Sequence, residues 1–348
     1  MSAPGWIRAG TALVLGTILV MGWPSGHSIA GAPLVKVRWS TIIFASQSYI
    51  PTIIKQRRLD VKYGLDLTIV PLSTALQQWT SLRSGDADVS SGSILDLLRQ
   101  RKAGLRAKAF MNFLGVSDFS NPIVAPADRS YARIADLRGL RVGTPSRTLF
   151  AWLIYRAAGM KAEGIDLERD TRQVVESSPP LLHQLMAKGD LDAAVQFSSV
   201  ILGPLAKGQV KVVISLPNAM IRAGFDRDAF YLVWIATEAW IKNHPGALAR
   251  LIAAMQDAQE ILATDDSVWT QLAAQSGVTD PDLLPFFMRV NREEMSRGKF
   301  LPVKVVSTQR LLDSIIHVAG ADVVGAAKVE LEAFDFRAVE DARKHRRR

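Results

Sequence analysis

The alternation of apolar and polar positions marks a series of short strands separated by helices. Residues 34–39 alternate apolar and basic side chains and read as a first strand. A polar loop follows over 40–49, and Pro51 stands at a helix start, where a missing amide hydrogen costs little. That helix is expected to reach about Arg58. Gly64 breaks the chain, and 65–70 (Leu-Asp-Leu-Thr-Ile-Val) alternates as a second strand. A helix over about 74–83 leads to the turn Gly85-Asp86, a short strand at 87–89, and the small polar run Ser90-Ser91-Gly92-Ser93, which opens a helix over 94–100.

The same signature then recurs. Leu-Arg-Ser-Gly-Asp-Ala-Asp-Val at 82–89 and Met-Ala-Lys-Gly-Asp-Leu-Asp-Ala at 186–193 each read as a helix end, a Gly-Asp turn and an entering strand. They lie 104 residues apart, about one small α/β lobe. Between them, 118–126 lacks periodicity and reads as a first crossing between lobes. Segment 134–139 opens the second lobe, 140–143 is a strand, and Thr144-Pro145-Ser146 caps a helix over about 148–158. A strand at 173–175, a helix at 180–187 and a strand at 193–197 complete the unit. The return begins at 210–215, and the dense apolar strand 230–237 re-enters the first lobe. From Glu238 onward the pattern is helical, over 238–243, 245–263, 267–276, 281–288 and 307–319. These helices are expected to pack outside the lobes and to complete the first.

The expected organisation is therefore a doubly wound α/β protein of two lobes joined by two crossing segments. Its parts are 1–30 as a signal peptide, 31–122 as the first part of lobe one, 123–214 as lobe two, 215–336 as the completion of lobe one with its C-terminal helices, and 337–348 as a basic tail.

The front end carries Arg8, an uncharged apolar stretch over 9–23, and Ser28-Ile29-Ala30 as a small-x-small cleavage site. The stretch is shorter than the ~20 residues that span a bilayer. Cleavage there would leave 318 of the 348 residues. Cysteine is absent, so an exported chain would be held by its cores alone, and no lipid-bearing cysteine follows the cleavage site. A periplasmic location is the expectation. Of the formal charge of +9, Arg8 and the tail residues Arg343, Lys344, Arg346, Arg347 and Arg348 supply six, leaving about +3 for the body. With no aromatic-basic stripe and no finger spacing, nucleic-acid binding has no support. His183, His244, His317 and His345 show no ligand spacing, so neither a metal site nor a cofactor is expected. There is no Gly-x-Ser-x-Gly elbow and no P-loop, and the chain reads as a non-enzyme.

The chain resembles the substrate-binding proteins of the nitrate/sulfonate/taurine-type ABC importers, a group that includes thiamine-precursor-binding relatives. The matching pieces are Lys62-Tyr-Gly-Leu-Asp-Leu67, the 82–89 segment, Ile134-Ala-Asp-Leu-Arg-Gly-Leu-Arg-Val-Gly-Thr-Pro145, Lys188-Gly-Asp-Leu-Asp-Ala-Ala194 and Ala239-Trp-Ile-Lys-Asn-His-Pro245. Their order over about 34–260 carries the likeness. Lys55-Gln-Arg-Arg-Leu-Asp60 departs from the family pattern. The resemblance implies a type II periplasmic binding fold and a monomeric receptor. Such a receptor would deliver a small, anionic organic solute to an ABC permease by hinge closure. Relatives that make the thiamine pyrimidine use a histidine and a cysteine-rich tract; this chain lacks the tract, so that role is not expected. An accessory or ligand-sensing protein on the same fold, or an enzyme on it, are the alternatives.

By position, the family's pocket would draw on Ser40, Thr41 and Gln47, on Gly92-Ser93, on Thr144 and Ser146, and on Phe197-Ser198. Thr144 and Ser146 stand where a strand becomes a helix, so free amides and hydroxyls there suit an anion, although ordinary N-capping needs the same residues. Gly92-Ser93 is the equivalent place in lobe one. Arg147 could pair with an anion bidentately or point to solvent. Phe197, Trp39 and Tyr49 are candidate ring walls, with core packing as the alternative for each. Asp88 and Asp192 stand beside their turns on the side away from the cleft, where local hydrogen bonding is the expectation. Hydroxyls and rings together favour a ligand with an apolar body over a bare inorganic ion.

Overall fold

The structure, a computed structural model, describes residues 33–43, 45–114, 118–295 and 300–346. The expected export segment 1–30 lies outside the described residues, as do Arg347 and Arg348 of the tail.

Among the described residues, ten strands divide into two sheets. Lobe one holds β1 (Val35–Ile42), β2 (Leu65–Leu72), β3 (Val89–Ser93), β4 (Ala107–Leu114) and, from far along the chain, β10 (Leu232–Thr237). Lobe two holds β5 (Ile123–Pro126), β6 (Arg141–Thr144), β7 (Gln173–Glu176), β8 (Ala193–Val195) and β9 (Val210–Ile214). The spatial orders are β2-β1-β3-β10-β4 and β7-β6-β8-β5-β9. In each sheet the first three strands run parallel, and the fourth place is taken by an antiparallel strand that has just crossed from the other lobe. This is the two-lobed α/β architecture of type II periplasmic binding proteins.

Buried alternation specifies each sheet's faces. Val37 and Trp39 of β1 are buried on one face, and Trp39 meets Trp234 of β10 edge-to-face at 4.8 Å between centroids. Phe113 packs on the same Trp234 ring at 4.7 Å. Trp39 is thus core, with its indole remote from solvent.

The helix expected over 148–158 begins at Phe150 and continues to Glu163. Gly159 does not end it. The missing side chain admits Ile165 O and Ile134 Cγ2, which would stand 2.8 and 2.9 Å from a β-carbon. Termination waits for Gly164, at φ 64°.

The C-terminal run departs from expectation in two places, and the first is that residues 337–346, expected within a basic tail, belong to a helix whose Arg346 bonds Asp257 and Glu260. Helix Ala247–Thr264 covers lobe one and receives the final helix Phe336–Arg346. Helix Lys304–Ala319, however, packs on helix Phe150–Glu163 of lobe two. Its buried stripe Thr308, Leu311, Leu312, Ile315 has helical spacing and joins the core that contains Trp152 and Tyr155. The chain then returns to lobe one, where Arg99 Nε donates to Val324 O at 2.8 Å and Phe334 bridges to Ala109 of β4. Residues 304–334 therefore form a strap linking the lobes beside the two crossings.

Candidate functional site

Each lobe fixes the ends of its strands with the same device. Asp88 Oδ2 accepts the Arg38 amide at 2.9 Å and Nε at 3.0 Å, while Oδ1 accepts Nη2 at 2.6 Å. Asp192 treats Arg141 in the same way, at 2.8, 3.0 and 2.9 Å. The two carboxylates thus clamp the neighbouring strand, a longer reach than the local turn bonding expected for them. Both sit at the strand starts. The opposite ends of β1 and β3 face a cavity of about 320 Å³.

Residues of both lobes and both crossings line this cavity. In lobe one, Gln78 Nε2 donates to Gln47 Oε1 at 2.8 Å and to Ser91 Oγ at 3.1 Å, and the Ser91 hydroxyl donates to the same Gln47 oxygen. This polar floor rests on buried Ser40, whose hydroxyl accepts from Ser81 at 3.0 Å. Gly92 supports one wall. A β-carbon there would stand 2.4 Å from Trp79 Cζ2, so the glycine is what lets the indole lie against the strand. Ser93 caps helix Ile94–Lys102, accepting the Asp96 amide at 3.0 Å and donating to Asp96 Oδ2 at 2.7 Å. The Ile94 amide donates to Tyr231 O at 2.8 Å.

Lobe two contributes Leu149 and Phe150, together with Phe197 at the rim and Ser198 and Ser199 at the start of helix Ser198–Ala206. Phe150 stacks on Tyr231 of the second crossing, 5.6 Å between centroids and 24° between planes. The crossings are tied to one another. The Tyr231 hydroxyl donates to Asn121 Oδ1, Ser215 donates to Asp118 at 2.7 Å, and Tyr155 of lobe two donates to Asn121 O at 3.0 Å. Asn121 takes φ 50°, a left-handed turn that asparagine tolerates better than most residues. Burial pushes the Tyr155 phenol well above its usual range, so it stays a donor.

Of the residues singled out from sequence, Gln47, Tyr49, Gly92, Ser93, Phe197 and Ser198 come together at this cavity. Tyr49 is nearly enclosed, with its hydroxyl 2.6 Å from Ser276 Oγ and its ring edge-to-face with Trp269. Six others do not reach it, and Trp39 has already been placed in the core. Ser40 and Thr41 are fully buried beneath the floor. Thr144 is also buried and donates to Ser146 O at 3.0 Å, while Ser146 pairs with Thr148. Arg147 is absent from the cavity: its half-exposed guanidinium pairs with the carboxylate of Glu168 and bonds Val174 O, and its amide bonds Glu176. The loop is held by Glu176 and Val174 O of β7 and by Glu168 of the preceding helix Leu167–Asp170, which leaves Leu149 and Phe150 to face the cleft.

Sequence reasoning missed Trp79, Asp96, Asn121, Phe150, Tyr231 and Asn291. Asn121 lay in a segment already read as a crossing, and Trp79 on a helix beside the serine run; both could have been found from that placement. Asn291 comes from helix Leu284–Met295 and carries no local signal. Asp96 is the one charged side chain among the described residues of the lining, and it also accepts Arg99 Nη1 at 2.9 Å. No group of three histidines or carboxylates among the described residues could hold a metal ion, and no described helix is long and apolar enough to cross a membrane.

Solved structures share this fold. The aliphatic sulphonate binding protein SsuA of Escherichia coli superposes with a TM-score of 0.69 at 14% identity, covering 88% of this chain and 92% of that one. The alkanesulfonate-binding protein SsuA of Xanthomonas axonopodis pv. citri, bound to MOPS, gives 0.64 at 16%, covering 83% and 95%. The desulfurization enzyme DSZB gives 0.56 at 18%, covering 90% and 100%. No curated protein matches the chain in sequence. The model of the family described as NMT1/THI5 like matches residues 61–266, more than half of the chain. With its two sheets, its paired crossings and that match, the chain belongs to the NMT1/THI5-like family.

Proposed function

We propose that the protein is a non-catalytic extracytoplasmic receptor that encloses a small organic solute between its lobes and presents it to an ABC permease. The carrying observation is the cavity's construction, with walls from both lobes and a hinge side made of Asn121 and Tyr231 from the two crossings. Ligand held against both walls favours the closed state by its differential affinity for it. The sulphonate-binding proteins on this fold support a receptor reading, and the export pattern at the front of the chain supports delivery across a membrane-bounded compartment.

The likeness to a desulfurization enzyme keeps catalysis as a second reading. Against it, the described lining offers no histidine, lysine or arginine, and its one carboxylate is already bonded to Arg99 and Ser93. A general base or nucleophile with an orienting partner has no obvious candidate there.

The test is thermal unfolding against alkyl sulfonates, aromatic carboxylates, nitrate and uncharged ring compounds. A ligand at one hundred times its Kd stabilises the folded state by about 2.7 kcal/mol. A clear rise for one class is the expected result. No rise for any class would reject the receptor and favour an accessory protein that binds a macromolecular partner.

A further inference from the structure

We propose that the cleft selects an uncharged, ring-bearing solute and discriminates against anions of the same shape. The proposal rests on the receptor reading and deepens it. Its first support is the wall chemistry. Trp79, packed closely on Gly92 in lobe one, and Phe150, stacked on Tyr231 across the hinge, give the cavity aromatic walls. The lining also carries neutral amides: Gln47 and Asn121 already accept at their oxygens and keep an NH2 group to offer, while Asn291 donates to Phe287 O and keeps its oxygen. A primary amide offers both a donor and an acceptor, which suits a heteroatom edge.

The second support is electrostatic. Anion sites at helix starts depend on unspent amides and on the positive end of the helix dipole. In lobe one that place is taken. Asp96 occupies the first turn of helix Ile94–Lys102, its own amide bonds Ser93, and the Ile94 amide bonds Tyr231 O. An incoming anion would meet a resident carboxylate. Arg99, the cation bonded to Asp96, is absent from the lining and is also committed to the carbonyls of Thr148, Val323 and Val324. In lobe two the loop that carries Thr144, Ser146 and Arg147 is turned away from the cavity. A start at Ser198 and Ser199 remains, with neutral donors alone. An anion entering here gives up its water without gaining a counter-charge, whereas an uncharged ring avoids that cost.

The experiment compares matched pairs on the whole protein: benzamide with benzoate and benzenesulfonate, and nicotinamide with nicotinate, by titration calorimetry and thermal shift. The expected result is at least tenfold tighter binding of the amide in each pair. In Asp96→Asn, the advantage of each amide over its matched anion should shrink by about tenfold. Equal or tighter binding of the anions by the unsubstituted protein overturns the inference and leaves the receptor reading standing. Failure of every pair, and of the broader solute panel, overturns both. Should Asp96→Asn not fold, the comparison within pairs on the unsubstituted protein decides by itself.

Discussion

Gly92 shows how much of the cleft depends on one absent methyl group. Its β-carbon would stand 2.4 and 2.8 Å from two atoms of the Trp79 ring, so an alanine there forces the indole off the strand. Gly92→Ala is expected to cost about 1–3 kcal/mol of stability, the range for overpacking a filled site. It should also weaken solute binding by more than tenfold. Chemical denaturation and calorimetry measure the two effects, and a Trp79→Leu background should remove the stability cost while leaving binding impaired. The serine-glycine run was legible in the sequence as a cleft-facing strand end. The use made of its glycine was not, because Trp79 approaches from a separate helix. The loop at 144–148 misled for a related reason. Its residues look like a helix cap, yet the helix start is displaced to Phe150 by distant partners, namely Glu168, Glu176 and Tyr231.

Among the elements, the paired clamps at the strand starts make the repeat visible in three dimensions. Asp88 reaches back 50 residues to Arg38, and Asp192 reaches 51 to Arg141. The Gly-Asp-x-Asp signature was plain from sequence; its partner was not, since each arginine belongs to an alternating strand that gives it no distinction. Hydrogen bonds from the Arg141 side chain, and then from its amide, hold the Asp192 carboxyl below the ordinary carboxylate range. Since the folded value is the lower one, the clamp's stabilisation is complete above the unfolded value near about 3.9 and is lost as pH falls through the folded value. The melting temperature should therefore drop steeply below about pH 4. Asp192→Asn should start lower at neutral pH and fall less over that window. A melting series from neutral to acid pH checks this, and parallel curves for the two proteins would deny the clamp its role. The strap was only half legible: its apolar stripe was read as a helix, but nothing local said which lobe the stripe would meet.

For the molecule as a whole, the two sheets repeat one order, and each borrows its fourth strand from chain that has just left the other lobe. One continuous apolar cluster takes in Leu97 and Ala109 of lobe one, Trp152 and Val195 of lobe two, and Leu311 and Phe334 of the strap. The two lobes should for that reason unfold together, in one calorimetric transition whose van't Hoff and calorimetric enthalpies agree. Two resolved transitions would mean that the strap and crossings leave the lobes independent. Fold class was readable because the strand–helix alternation repeats; the shared core was not, since it joins segments that lie apart in the chain.

The return of the chain end to the first lobe also sets an order of assembly. Lobe two has all its strands once Ile214 exists. Lobe one must wait for β10, and its outer layer for the helix Phe336–Arg346 seated on Ala247–Thr264. A chain emerging from a ribosome therefore completes the sheet of lobe two before that of lobe one, although it begins with lobe one's strands, the reverse of the usual N-terminal-first course. Until Leu232–Thr237 is made, β4 has no neighbouring strand to pair with, and the first sheet stays open on that side.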